Sequence, residues 1–143
     1  MVYANTSVLA SRYIYDANSS QVMNLMMSVN QRSAWTTLHR LELLNAFALA
    51  VFRGLITTQQ SFAAWKQLAV DLRAGRYLRT LPPWHQMLRE ASKLAARHSA
   101  TLGTRSLDIL HVAAAKELGV TTFLTFDKRQ RSLALTVGLQ VLP

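Results

Sequence analysis

The sequence contains no cysteine. Disulfide bonds, thiolate catalysis and cysteine-based zinc sites are therefore excluded, and a chain without disulfides fits the reducing cytoplasm, where we expect it. No apolar run approaches the roughly 20 residues that a membrane-spanning helix requires, and we expect neither a signal peptide nor membrane association. The four histidines lack the paired spacing of a zinc-binding helix.

Acidic residues are also scarce. Seven aspartates and glutamates face sixteen lysines and arginines, which gives a formal net charge of +9. Arginine predominates among the basic residues, and its planar guanidinium matches the geometry of phosphate. Residues 73–105 hold seven of the basic side chains and a single acid, Glu90. This clustering favours a nucleic acid as partner, and the alternative is a solvated basic surface that serves only solubility.

Short apolar segments alternate with helical patterns along the whole chain. We predict strands at residues 2–5, 34–38, 77–81, 121–126 and 139–142. We predict helices at residues 8–16, 20–29, 39–52, 59–74, 84–98, 107–118 and 128–136. Strands separated by helices pair in parallel, and the helices cover both faces of the sheet. The predicted fold class is therefore α/β, a single three-layer α/β/α domain over residues 1–143 with a parallel sheet of about five strands.

The helix ends and the core also yield predictions. We expect Thr6 or Ser7 to cap the first helix and Ser106 to cap the sixth. The methionines of the second helix recur at helical spacing and are expected to fill the core, with a dimer surface as the alternative: Met23, Met26 and Met27. The tryptophans are expected to pack in the core rather than to stack on RNA bases: Trp35, Trp65 and Trp84.

Three of the acids occupy unusual positions. Glu42 and Asp108 interrupt helices that are otherwise nearly all apolar, and Asp127 directly follows the fourth predicted strand. A buried carboxylate is costly without a partner, so each of these acids needs one. Right-handed crossovers would place them, together with Asn5, along the edge where open parallel sheets bind ligands. We interpret the remaining acids as surface charges: Asp16, Asp71, Glu90 and Glu117.

Three acids in one crevice would repel one another unless a cation lay between them. All-oxygen ligands favour a hard ion, Mg²⁺ or Mn²⁺, which beside a phosphate can activate water and stabilise the departing oxygen. An acidic pocket that can hold such a cation, next to a basic surface that can bind phosphates, predicts phosphodiester hydrolysis. Two alternatives stay open: Arg105 could balance the acids as a salt-bridge partner without metal, and His111 could be a packed core residue rather than a general base.

Four segments of the chain together resemble the PIN domain family. They are Val-Tyr-Ala-Asn-Thr-Ser-Val-Leu at 2–9, the helix with Glu42, Leu-Asp-Ile-Leu-His-Val-Ala-Ala-Ala at 107–115, and Leu-Thr-Phe-Asp at 124–127. The small size and single-domain layout are most similar to VapC-type toxins of bacterial toxin–antitoxin pairs. The resemblance implies a metal-dependent endoribonuclease toxin that binds and cleaves RNA, is neutralised by a cognate antitoxin and forms a homodimer.

The resemblance places the metal ligands at Asn5, Glu42, Asp108 and Asp127, which with the hydroxyl of Thr125 form the catalytic set. Asn5 departs from the family pattern, in which an aspartate is expected. An asparagine has nearly the same shape but no charge, so we expect weak or absent nuclease activity. A deliberate inactivating substitution and a natural member that binds without cutting are both open. The alternative function is a non-catalytic PIN-like module that binds RNA or protein.

Overall fold

The computed structural model describes residues 1–143, and every strand pairing in it is parallel. The elements follow one another as β1 (Tyr3–Ala4), α1 (Thr6–Tyr13), α2 (Ser19–Val29), β2 (Ser33–Trp35), α3 (Thr37–Phe52), α4 (Thr58–Arg73), β3 (Tyr77–Arg79), α5 (Trp84–Leu102), α6 (Ser106–Glu117), β4 (Thr122–Leu124), α7 (Lys128–Thr136) and β5 (Gln140–Leu142). A single bridge between Val2 and Ser33 joins the sheet β1-β4-β5 to the pair β2-β3. The resulting order is β3-β2-β1-β4-β5, which confirms the predicted α/β class.

Helices cover both faces of this sheet because alternate strand residues point to opposite sides. Tyr3 and Phe123 belong to a hydrophobic cluster that includes buried residues of α5, α6 and α7. Ala4 and Leu124, their chain neighbours, belong to a second cluster with α1, α2, α3 and α4. The three-layer arrangement is therefore confirmed. No helix in the structure has both the length and the apolarity needed to cross a membrane.

Helix ends differ from the prediction where polar caps or glycine intervene. We expected Thr6 or Ser7 to cap α1, but the cap is Asn5, whose side-chain Oδ1 accepts a hydrogen bond from the backbone N of Val8 at 3.0 Å. Helix α5 continues past its predicted end to the left-handed residue Gly103, at φ 63°. The strands are shorter than predicted, at two or three residues each.

The methionine stripe of α2 is a correction to the sequence interpretation. We expected Met23, Met26 and Met27 to fill the core. Met26 is partly buried against it, but Met23 is 45% and Met27 68% exposed. Trp84 was also expected to pack in the core and is 42% exposed. The core beside α2 is instead filled by Val22 and Leu25, which lie on the buried side of the helix. Helical spacing located the apolar residues but could not show that only one side of α2 is covered.

Asp71 was interpreted as a surface charge, but the structure buries it. Its side chain is 2% exposed and lies 3.3 Å from Nη2 of Arg12 and 3.4 Å from Nη1 of Arg76. It also accepts hydrogen bonds from the hydroxyl of Tyr13 at 2.9 Å and from Nε2 of Gln67 at 3.2 Å. This Asp71 cluster ties α1 and α4 to the start of β3.

Replacing Asp71 with asparagine is expected to lower the free energy of unfolding by about 2 kcal/mol, because hydrogen bonds and ion pairs to a charged group are lost while the volume is kept. The measurement is urea unfolding followed by circular dichroism. Glu117→Gln is the control, since this acid makes no ion pair in the structure. A loss in Asp71→Asn no larger than in the control would contradict the role of the cluster.

Candidate active site

The residues singled out in the sequence lie around one end of the sheet, here called the carboxyl edge. Asn5 directly follows β1, and Thr125 directly follows β4. Asp127 caps the amino end of α7, and Asp108 lies in the first turn of α6. Glu42 lies in the second turn of α3 and joins the edge through Thr6 Oγ1, which donates to its carboxylate. Parallel strands and short loops bring these distant segments together.

The amide of Asn5 has a fixed orientation. Its Oδ1 accepts hydrogen bonds from Ser7 Oγ at 2.8 Å and from the backbone N of Val8 at 3.0 Å. Its Nδ2 donates to Thr125 Oγ1 at 2.9 Å and to Gln130 Oε1 at 2.6 Å. If the Asn5 amide were rotated, its NH₂ group would face the backbone N–H of Val8, and its oxygen would face Oε1 of Gln130. Both contacts are unfavourable, so the cap of α1 fixes the orientation. Asn5 therefore offers N–H donors where an aspartate would offer a second oxygen.

Gln130 is a site residue that the sequence analysis missed. It is 1% exposed, and its backbone N donates to Asp127 Oδ1 at 2.8 Å. Its side-chain Nε2 reaches the backbone carbonyl of Asp108 at 3.4 Å, while Thr125 Oγ1 donates to its Oε1 at 2.8 Å. The spacing of Asp127 and Gln130 matches a helix cap followed three residues later by glutamine, and this signal could have drawn attention to it.

Glu42 is paired with a histidine. Nε2 of His111 hydrogen-bonds to Oε2 of Glu42, and Nδ1 on the other side of the ring lies 2.9 Å from the hydroxyl of Tyr3. Burial alone would raise the pKa of Glu42, but the hydrogen bond and charge of His111, together with Thr6, outweigh it and hold that pKa below its ordinary value. His111 is 3% exposed, so the pair joins α3 to α6 inside the protein.

Asp108 is paired with the arginine that precedes its helix. Oδ2 of Asp108 accepts hydrogen bonds from the backbone N and the Nε of Arg105, both at 3.1 Å. Ser106 was the expected cap, but Arg105 occupies that position and Asp108 reaches back to it. The hydrogen bond and charge of Asp108 raise the pKa of Arg105, and the charge of Asp127 adds to this. Arg105 thus forms an ion pair with Asp108, one of the pairings left open from the sequence, while Asp127 makes no ion pair in the structure.

The acids of the carboxyl edge are engaged by protein partners and do not cluster around one point in this structure. No group of three acidic or histidine side chains is close enough to share an ion. Both hydrogen-bonding positions of the Asn5 oxygen are used, and the carboxylates of Glu42, Asp108 and Asp127 each have a protein partner. With Asn5 uncharged and its oxygen already accepting two hydrogen bonds, the residues present fit Mg²⁺ or Mn²⁺ less well than an aspartate at position 5 would.

A second buried histidine supports the start of α3. His39 is fully buried, and its Nε2 donates to the carbonyl of Ala4 at 2.8 Å while its Nδ1 accepts from the backbone N of Thr36 at 3.1 Å. Burial, and then the charge of His111, lower the pKa of His39 to about 3. Protonation would place a new N–H against the N–H of Thr36, so the neutral ring is the form that fits.

This lowered pKa makes stability depend on pH. Between about pH 6.5 and 3 the unfolded chain binds a proton at residue 39 that the folded chain does not, so stability falls as the pH falls. From pH 7 to pH 5 His39 should account for a loss of about 2 kcal/mol. Urea unfolding at both values, compared with His39→Gln, measures it. The glutamine variant should lose correspondingly less, and an equal loss in both proteins would contradict the assignment.

Comparison with known proteins identifies the family. The family model described as PIN domain matches residues 21–135. The chain therefore belongs to the PIN domain family, whose members are generally nucleases that use divalent metal ions. No curated protein matches the sequence.

Solved structures similar to the chain come from toxin–antitoxin systems. FitAcB from Neisseria gonorrhoeae has a TM-score of 0.69 at 19% identity, covering 100% of this chain and 97% of that one. VapC20 from Mycobacterium tuberculosis, described as a toxin that cleaves the sarcin–ricin loop, has a TM-score of 0.69 at 16% identity and covers 100% of both chains. VapBC2 from Rickettsia felis, bound to promoter DNA, has a TM-score of 0.66 at 14% identity, with 99% and 98% covered. At these identities the likeness concerns the fold.

Proposed function

We propose that this chain is a VapC-type endoribonuclease toxin whose activity is suppressed by Asn5. The observation that carries the proposal is the orientation of the Asn5 amide, which turns N–H donors toward Thr125 and Gln130 at the centre of the carboxyl edge. An aspartate would keep the helix cap and bring a negative charge to the same place. The present chain then lacks the charge needed to gather a divalent cation, Mg²⁺ or Mn²⁺, with Glu42, Asp108 and Asp127.

RNA is the proposed substrate because the carboxyl edge is surrounded by exposed cations. Arg105, Lys128 and Arg129 lie beside the two aspartates and are exposed, and the whole chain carries a net charge of +9. These side chains would bind and orient the phosphate backbone. Thr125 would hold the side chain at position 5, and His111 would hold Glu42.

RNA cleavage in Mg²⁺ or Mn²⁺ by the chain as it stands and by Asn5→Asp tests the proposal. We expect little or no cleavage by the first protein and clear cleavage by the second. Failure of Asn5→Asp to cleave any of a panel of structured RNAs would favour the alternative, a PIN-like module that binds RNA or protein without cutting. The ion pairs of Glu42 with His111 and of Asp108 with Arg105 support that alternative, because they balance part of the negative charge at the carboxyl edge.

We further propose a cytoplasmic homodimer that is neutralised by a cognate antitoxin. The similar structures include toxin–antitoxin complexes, and several large apolar side chains are exposed here. Among the most exposed are Tyr15 at 89% and Phe52 at 87%, and Met27 and Phe62 are also exposed. Sedimentation of the purified chain tests the dimer, and a monomer at all concentrations would contradict it.

A further inference from the structure

The opposite end of the sheet carries an arginine-lined cavity that the proposed function does not use. Strands β2 and β3 pair in parallel with Ser33 beside Tyr77, so the residues that precede them, Arg32 and Arg76, lie next to each other. Arg12, in the last turn of α1, reaches the same place. All three arginines line a cavity of about 370 Å³, here called the amino-edge cavity.

The charges of this cavity are unbalanced. Asp71 is the one acid paired with its arginines, and it contacts Arg12 and Arg76 but not Arg32. Arg32 is exposed and makes no ion pair or side-chain hydrogen bond in the structure. Three guanidinium groups against one carboxylate leave an excess of two positive charges.

The geometry of the cavity suits a phosphate carried by a larger molecule. Asp71 pairs with Arg12 and Arg76 through one guanidinium nitrogen of each, which restricts both side chains and leaves further N–H groups on each to bind an anion. A phosphate monoester carries about −1.5 to −2 charges at pH 7, which matches the excess. Met26, Met27 and Tyr77 also line the cavity, so an apolar wall stands beside the cationic groups. Its volume lies within the range of small-ligand sites, roughly 300–1,000 Å³.

We propose that the amino-edge cavity is a phosphate-binding site for a nucleotide phosphate monoester, either the 5′-terminal phosphate of RNA or that of a free mononucleotide. The site lies before the strands, whereas the carboxyl edge follows them, so it is separate from the place proposed for cleavage. An RNA that contacts both the amino-edge cavity and the carboxyl edge would have to run along the length of the sheet. Such binding would favour substrates longer than a few nucleotides.

Arg32→Gln is the discriminating variant, because Arg32 has no partner within the chain and its loss leaves the Asp71 cluster intact. The matched control is Arg53→Gln, an exposed arginine after α3 that also makes no ion pair. Inorganic phosphate is titrated first, with the arginine Nε–H resonances followed by NMR. We expect the resonances of Arg12, Arg32 and Arg76 to shift, and Arg32→Gln to weaken phosphate binding about tenfold while the control does not.

The source of the phosphate is distinguished with a mononucleotide and with RNA carrying a 5′-phosphate or a 5′-hydroxyl. If RNA is the source, Arg32→Gln should reduce the steepness of the plot of log RNA affinity against log salt concentration by about one. Arg53→Gln should leave this slope unchanged. Weakened mononucleotide binding with an unchanged RNA slope would assign the site to free nucleotides.

Three results would overturn the proposal. They are absence of phosphate binding, equal weakening in Arg32→Gln and Arg53→Gln, and preference of the cavity for an acidic peptide over phosphate. Cleavage by Asn5→Asp is measured separately, with and without Arg32→Gln, on a short RNA. A failed phosphate site leaves that cleavage unchanged, so it can be told apart from failure of the proposed nuclease function.

Discussion

Replacing Asn5 with aspartate is expected to raise the affinity for Mn²⁺ and the rate of RNA cleavage by at least about 100-fold. Residues that only hydrogen-bond to a metal ligand already contribute about 10–100-fold, and restoring a ligand itself should have a larger effect. The cap of α1 survives, because one carboxylate oxygen still accepts from Ser7 and Val8. The other oxygen replaces Nδ2 and faces Gln130 Oε1, so the Gln130 amide must rotate to donate to it. Electron paramagnetic resonance of Mn²⁺ and cleavage of a fluorescent RNA are the measurements.

Asn24→Asp is the control for this experiment. It makes the same chemical change on an exposed residue of α2, so it adds the same charge without altering the carboxyl edge. We expect no change in Mn²⁺ affinity or in cleavage. Equal Mn²⁺ affinity in Asn5→Asp and the unaltered chain would contradict the proposal that the missing charge at position 5 suppresses activity.

Replacing His111 with alanine is expected to lower the free energy of unfolding by about 3–4 kcal/mol. The change leaves a cavity, removes the partner of Glu42 and leaves the buried hydroxyl of Tyr3 without its hydrogen bond to Nδ1. His111→Gln should recover part of the loss, because its amide can reach one of the two partners. Urea unfolding measures both variants, and His85→Ala, an exposed histidine on α5, is the control.

The same variants distinguish a role of His111 in positioning Glu42 for RNA cleavage from a role in stability alone. In an Asn5→Asp background, a displaced Glu42 should lower kcat for RNA cleavage more than it changes KM, and His111→Gln should restore part of kcat. A variant that unfolds more easily but keeps kcat at a temperature where it is folded would show that His111 serves the core alone. A loss of stability no greater than that of His85→Ala would contradict both roles.

The placement of the carboxyl edge could be predicted because it depends on chain order and strand direction. Asn5 and Thr125 each follow a parallel strand, so both lie at the carboxyl edge whatever the strand order. The pairing of β1 with β4, which the structure adds, makes them close neighbours. The requirement that Glu42 and Asp108 have partners could also be predicted, since each interrupts an apolar helix. Arg105, three residues before Asp108, was among the partners considered from the sequence. His111 as the partner of Glu42 could not be predicted, because that pair joins two helices far apart in the chain.

Asp71 and Asn5 show the same limit in different ways. Asp71 lies in a polar segment that resembles a solvated helix end, and only the packing of α4 against α1 buries it beside Arg12. Asn5 was recognised as a departure from the family, but its role as the cap of α1 was assigned to Thr6 or Ser7. That role fixes the direction of its amide and therefore what it presents to Thr125 and Gln130.

The sequence by itself determined the α/β class, the parallel sheet, the family and, except for Gln130, the residues at the carboxyl edge, because hydrophobic periodicity and chain order govern these features. The tertiary structure alone decided how the charges at that edge are balanced, because pairing depends on distances of a few ångströms between segments far apart in the chain. It paired Glu42 with His111, turned the amide of Asn5 inward and, among the possibilities open from the sequence, paired Asp108 with Arg105. It also gathered Arg12, Arg32 and Arg76 into one cavity at the far end of the sheet.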